Sequence, residues 1–229
     1  SAHIPGARHL PYSSLRGPLS NPGQLLPIAV LEARLGQVGL RVQDALVIVH
    51  EGVTTSDFGA AARVYWTLKS LGFNSISILN GGFRGYTKDG FELESGPVHA
   101  EVSSLTLEFN KTWYASTAVV KHIVEEDHSY RLLDARLPAF FEGASWHDAA
   151  GRPGALPSAD VFSFEQFFDA NTPLLKDSDE IAALVEKHGL NTPKIISYCN
   201  TGHWAATNWF VLSEVAQVRD VRLYAESMV

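Results

Sequence analysis

The stretch Lys194-Ile195-Ile196-Ser197-Tyr198-Cys199-Asn200-Thr201-Gly202-His203-Trp204-Ala205-Ala206-Thr207-Asn208-Trp209-Phe210 decides how this chain reads. Ile195 to Tyr198 is a short apolar run soon after a proline, the pattern of a buried strand. From Ala205 to Ala216 apolar residues recur at helical spacing, so a helix follows. A tight loop containing Gly202 joins the two. Cys199, the only cysteine in the chain, therefore sits at the carboxyl end of a strand, and the N-terminus of a helix points back at it.

That placement has chemical content. The first N–H groups of a helix lack internal partners and carry partial positive charge. Wrapped around a sulfur, such donors favour a thiolate, or the outer sulfur of a persulfide, over the neutral form. A cysteine often serves only to fill core space. A loop that begins at the cysteine and ends in a helix favours the chemical role instead.

The rest of the chain bounds the possibilities. With 229 residues, 45% of them hydrophobic, it has material for one large domain or two small ones. The net charge of −7 is spread without long runs, which speaks against nucleic acid or an anionic membrane as partner. No apolar run is long enough to cross a bilayer. A single cysteine excludes an internal disulfide and leaves the compartment, cytoplasmic or periplasmic, undetermined. The opening Ser1-Ala2-His3-Ile4-Pro5-Gly6 has neither Met nor signal peptide and reads as a domain entered partway. Nine histidines show no paired metal spacing, so no metal and no cofactor is expected.

Strand and helix patterns alternate outward from the cysteine. Ile28 to Leu40 is amphipathic and stops near Gly39. Ala45 to Val49 reads as a buried strand, Glu51 to Asp57 as polar loop, and Phe58 to Leu71 as a helix stopped by Gly72. Ser75 to Leu79 is a strand, followed by an Asn80-Gly81-Gly82 turn and a helical turn over Phe83 to Lys88. Gly90 to Thr112 reads as a connector in which Leu105 to Phe109 alternates like a strand. Ser116 caps a helix reaching about Glu126, Arg131 to Asp134 is a strand, and Asp177 with Glu180 forms a capping box for a helix ending near Gly189. Val221 to Tyr224 is the last strand.

A repeat underlies this order. Pro5-Gly6-Ala7 recurs as Pro153-Gly154-Ala155, and Val47 to Glu51 aligns with Ile195 to Cys199, both 148 positions apart. Ala61-Ala62 aligns with Ala205-Ala206 at a smaller offset, which implies a first loop four residues longer. Two copies of one α/β unit with a mainly parallel sheet follow. Only the second copy has a nucleophile at its strand end, where such folds place their sites. Glu51 stands there in the first copy and reads as inert.

The chain resembles the rhodanese superfamily, specifically tandem-domain sulfurtransferases of the thiosulfate and 3-mercaptopyruvate type. His3-Ile4-Pro5-Gly6-Ala7, Leu79-Asn80-Gly81-Gly82-Phe83, Leu133-Asp134-Ala135-Arg136 and the loop Cys199 to Trp204 carry the resemblance. It implies two rhodanese-like domains: a non-catalytic one over 1–97 whose first strand precedes Ser1, a linker over 98–114, and a catalytic one over 115–229. It implies that Cys199 takes sulfane sulfur from a small anionic donor and passes it to cyanide or a thiol.

The loop departs from its relatives. The basic residues usual after the cysteine are replaced by Asn200 and Thr201, and an arginine usual four residues beyond the Asp-Ala-Arg motif is Phe140. Arg136, Arg152 and His203 are then the expected cations. Asn200, Thr201, Gly202, His203 and Trp204 are the expected substrate-binding loop. His203, titrating near the ordinary histidine range of about 6.5, either charges the site or faces solvent. Trp204 walls the pocket or packs in the core. Asp134 and Arg136 either orient the site or join two loops as a structural pair. Three rivals stand beside it: a sulfur-sensing or partner-docking module, a cysteine phosphatase, and a cysteine hydrolase using Cys199 and His203, for which no orienting third group is apparent. The phosphatase wants an arginine at the loop's end, where Ala205 stands.

Overall fold

The computed structural model describes residues 2–170 and 172–229; Ser1 and any strand expected before it lie outside them. The first half contains β1 (Ala2–His3), α1 (Ile28–Gln37), β2 (Leu46–Ile48), α2 (Thr55–Ser70), β3 (Ile76–Ile78), α3 (Gly82–Lys88) and β4 (Glu94–Ser95). The second contains α4 (Thr117–His122), β5 (Arg131–Asp134), α5 (Pro138–Phe141), β6 (Asp160–Val161), α6 (Ser178–Lys187), β7 (Ile195–Tyr198), α7 (Trp204–Phe210) and β8 (Val221–Leu223). Helices α4 and α7 each run on into a π-helical turn, Ile123–Asp127 and Val211–Val215.

The second half is built on a four-stranded parallel sheet of order β6-β5-β7-β8. Strand β7 has a neighbour on each side and all four residues buried, which is why it reads as an unbroken apolar run. The first half has a parallel pair, β2 with β3, and a short antiparallel pair, β1 with β4.

The expected strand Ala45 to Val49 is shorter and not buried: Val47 is 61% exposed. Its apolar run fits both a two-sided and a half-buried strand, and pairing on one edge leaves the second. Leu105 to Phe109 is no strand. Its alternation is real, since Leu107 is buried between outward Thr106 and Glu108. Yet its backbone is satisfied by side chain and helix end: Leu107 N–H donates to Glu32 Oε1 at 2.8 Å and Asn110 N–H to Ser70 O at 2.7 Å. The four extra residues expected in the first loop belong instead to α2. A Thr54–Asp57 capping box starts that helix early.

Helix α2 places the first half on the second. It stops in a Schellman turn, with Phe73 N–H on Leu68 O at 3.1 Å and Gly72 at φ +91°. Its apolar stripe, Phe58, Ala62 and Trp66, joins Ala205, Ala206 and Trp209 of α7 in one continuous core. Trp66 and Trp209 are fully buried, and truncating either to Ala is expected to cost about 3–5 kcal/mol. The polar side of α2 is tied down too, by Lys69 Nζ and Tyr65 OH on Glu214 Oε2 at 2.6 and 2.9 Å.

Candidate active site

Cys199 follows β7 and is 1% exposed. Its backbone N–H donates to Ser227 Oγ at 3.0 Å, and Ser227 in turn donates to Tyr224 O at 2.8 Å. The next four amides differ. Among the described residues, the N–H groups of Asn200, Thr201, Gly202 and His203 find no hydrogen-bond partner. Gly202 sits at φ +69°, and a Cβ there would meet Ala225 O at 2.3 Å and Arg63 Nη1 at 2.4 Å. A left-handed glycine followed by a helix turns successive amides toward one concavity. Spare donors directly following a buried cysteine are the kind of group an anionic sulfur uses.

The first half supplies charges that the sequence did not reveal. Arg63 on α2 is 2% exposed. It donates through Nη2 to Gly23 O at 2.9 Å and through Nη1 to Gly202 O at 3.4 Å and Ala225 O at 3.5 Å. Burial first, and then Arg16, push its pKa down to about 10, so it stays charged at neutral pH. Arg16 donates through Nη2 to Thr201 O at 2.7 Å and lies over the Tyr12 ring at 5.2 Å. The half without a nucleophile therefore contacts the loop that begins at Cys199. No local motif marks Arg16, Tyr12 or Arg63; Arg63 reads only as one polar residue in an apolar helix.

His203 is not the expected cation. Its Nδ1 meets the Tyr12 hydroxyl at 3.0 Å, and its Nε2 meets Ser56 O at 2.8 Å. A carbonyl can only accept, so Nε2 carries the proton and Nδ1 accepts from Tyr12. Burial, then Arg16 nearby, push its pKa down to about 4. The ring is neutral near pH 7 and fastens the loop to the first half. Gly59 makes room: a Cβ there would stand 2.8 Å from His203 Nε2.

Other expected residues separate into occupied and open. Asp134 and Arg136 are both buried and bonded side by side, with Nη2 to Oδ2 at 2.6 Å. Arg136 also donates to Asn200 Oδ1 at 3.2 Å and Gly154 O at 2.8 Å. Arg136 and the Asn200 side chain are thus committed to holding the loop. Arg152 is exposed, on the rim of a cavity shared with Ser227 and Met228. Thr201 and Trp204 are half-buried. Trp204 stacks on Phe164 at 5.0 Å, meets Phe140 edge-on at 5.8 Å and donates Nε1–H to Ser56 Oγ at 2.8 Å. Phe140 is part of this aromatic wall. Among the described residues no group of three His, Cys, Asp or Glu is placed to hold a metal, and no helix is long and apolar enough to cross a membrane.

Residues 1–89 match the rhodanese-like domain family. The chain is 25% identical over 239 residues to a Synechococcus elongatus protein provisionally named a thiosulfate sulfurtransferase, covering 98% of this chain and 71% of that protein. It is 26% identical to the 3-mercaptopyruvate sulfurtransferase of Escherichia coli K12, covering 98% of this chain and 78% of that one. Among solved structures, SseA from Escherichia coli, described as a 3-mercaptopyruvate sulfotransferase with the rhodanese fold, superposes with a TM-score of 0.84 at 24% identity. That match covers 100% of this chain and 84% of the other. EanB in complex with ergothioneine gives a TM-score of 0.84 at 18% identity; this chain spans only 57% of its length.

Proposed function

We propose that this chain, which carries a rhodanese-like domain over residues 1–89 and the rhodanese fold throughout, is a sulfurtransferase working through a Cys199 persulfide. The observation that carries the reading is the run of four unpartnered amides after a buried cysteine. They form a cradle for negative charge that no group among the described residues fills.

The chemistry is covalent and ping-pong. The Cys199 thiolate attacks the outer sulfur of thiosulfate; the S–S bond breaks, and sulfite leaves with the bonding pair. With 3-mercaptopyruvate the C–S bond breaks instead, and the carbon takes a proton to leave pyruvate. Either step leaves Cys–S–S⁻, whose outer sulfur the loop amides stabilise. Cyanide or a thiolate then takes that sulfur, and the Cys199 thiolate is regenerated. Charge balances in both halves, so no metal or redox cofactor is needed.

The division of labour is 1–97 as the half without a nucleophile, 98–114 as linker and 115–229 as the half bearing Cys199. The neighbouring α2 and Arg16 support a first half that completes the site rather than standing apart. The burial of Cys199 favours a second reading, a sulfur-sensing or docking module that does not turn over. Steady-state thiocyanate formation with thiosulfate or 3-mercaptopyruvate as donor separates the two. Turnover with either supports the transferase; a persulfide that forms but is never discharged to cyanide or a thiol supports the module.

A further inference from the structure

A small anionic donor needs a counter-charge, and the loop itself has none. Asn200 and Thr201 are neutral, His203 is held neutral, and Arg136 is paired with Asp134. Two guanidiniums stand at the loop's other side, on consecutive carbonyls: Arg16 on Thr201 O at 2.7 Å and Arg63 on Gly202 O at 3.4 Å. Among the described residues, neither has a carboxylate within ion-pair distance. Glu226 acts on Arg63 only through space, and its Oε1 accepts the Tyr114 hydroxyl at 2.7 Å. Each arginine also keeps a spare donor: Arg16 Nη1 and Arg63 Nε are buried without a hydrogen-bond partner.

Buried charge is costly unless compensated, and like charges placed together cost more. Here two cations share one side of a loop with donors unused, and among the described residues Glu226 acts on Arg63 without forming an ion pair. Both reach the loop that begins at Cys199, Arg16 through the carbonyl of Thr201 and Arg63 through that of Gly202.

We infer that Arg16 and Arg63 form the anion-recognition site of the proposed reaction, taking the sulfonate of thiosulfate or the carboxylate of 3-mercaptopyruvate beside Cys199. This rests on the sulfurtransferase reading and assigns substrate charge recognition to the half without the nucleophile. Tyr12 supports Arg16 from beneath, through its ring. His203, bonded to the same Tyr12, sets the position of both.

Arg16 is only half-buried, so Arg16→Met tests the site without opening the core at Arg63. The measurement is the rate of Cys199 alkylation by iodoacetate and by iodoacetamide, followed by intact mass. The two reagents differ in charge at the end remote from the departing iodide, and the chain has one thiol. In Arg16→Met the iodoacetate-to-iodoacetamide rate ratio falls about tenfold, the worth of one charged hydrogen bond. The iodoacetamide rate alone stays within about threefold, and Arg16→Lys keeps most of the ratio because it keeps the charge. Equal losses with both reagents would mean that Arg16 only positions the loop. That result overturns the inference, as does an unchanged ratio or a Cys199 that neither reagent reaches. A charge preference without any persulfide from thiosulfate sinks the sulfurtransferase reading and leaves the anion site standing. Persulfide formation with an unchanged ratio does the reverse.

Discussion

The Tyr12 hydroxyl donates to His203 Nδ1 across 3.0 Å, joining residues 191 positions apart. This bond and the Nε2 contact to Ser56 O use both ring nitrogens. A protonated His203 would no longer accept from Tyr12, whose hydroxyl would have to turn and accept instead, and it would stand beside Arg16.

A pH prediction follows. His203 is depressed to about 4 in the folded protein and returns to about 6.5 when unfolded. Between those values the unfolded state binds more protons, so stability is full above about pH 6.5 and falls as pH drops toward 4. The loss is on the order of 2 kcal/mol once discounted for partial exposure. Urea unfolding at pH 7 and pH 5 should show it in wild type, and His203→Gln should lose less across the same interval. Equal losses in the two proteins would show that another group sets the dependence. His203 also places no ionisation in the activity profile between pH 6 and 8.

Arg136 is expected to be structural. Removing it leaves Asp134 buried and unpaired, at a cost of about 3–5 kcal/mol. Denaturant melts should place Arg136→Met far below wild type, and Asp134→Asn/Arg136→Met should recover more than half of that loss. A stable single variant with a raised donor KM would identify Arg136 as a substrate ligand instead.

Gly202 has no tolerance for a side chain. A Cβ would strike Ala225 O and Arg63 Nη1 and would hold a left-handed φ. Gly202→Ala is expected to lose at least about 2 kcal/mol and most of its transfer activity. Gly151→Ala, where a Cβ meets nothing, is the control. A Gly202→Ala protein as stable and active as the control would refute the loop geometry.

How much of this was legible in sequence depends on distance along the chain. Strand β7, the Asp177–Glu180 cap and the Gly72 and Gly189 stops are set by neighbours a few residues apart, and each was readable. The Asp134–Arg136 pair is equally local. The exposure of β2 was not readable, because a short apolar run does not say how many edges are paired. The early start of α2 was hidden because Thr54 and Asp57 are as common in loops as in caps. The site's cations were the least visible. Arg16 meets Thr201 across 185 positions and Arg63 meets Gly202 across 139, and neither lies in a motif. For the same reason His203, which the loop alone reads equally as a substrate-facing cation or a solvent-facing residue, is expected to titrate; only the fold shows what buries it.

Cys199→Ser should keep the fold and lose the chemistry. The hydroxyl fills the same space but does not carry sulfane sulfur, so thiocyanate formation should fall below about 1% of wild type with an unchanged denaturation midpoint. Residual turnover within about tenfold of wild type would mean that sulfur travels by another route.

The most direct test is to expose the protein to excess thiosulfate or 3-mercaptopyruvate, remove the donor, and record intact mass and a peptide map. The account predicts one added sulfur atom per chain, located on Cys199, that disappears on adding cyanide with release of one thiocyanate per chain. A protein that gains no sulfur from either donor, or whose added sulfur lies on a peptide without Cys199, would contradict it.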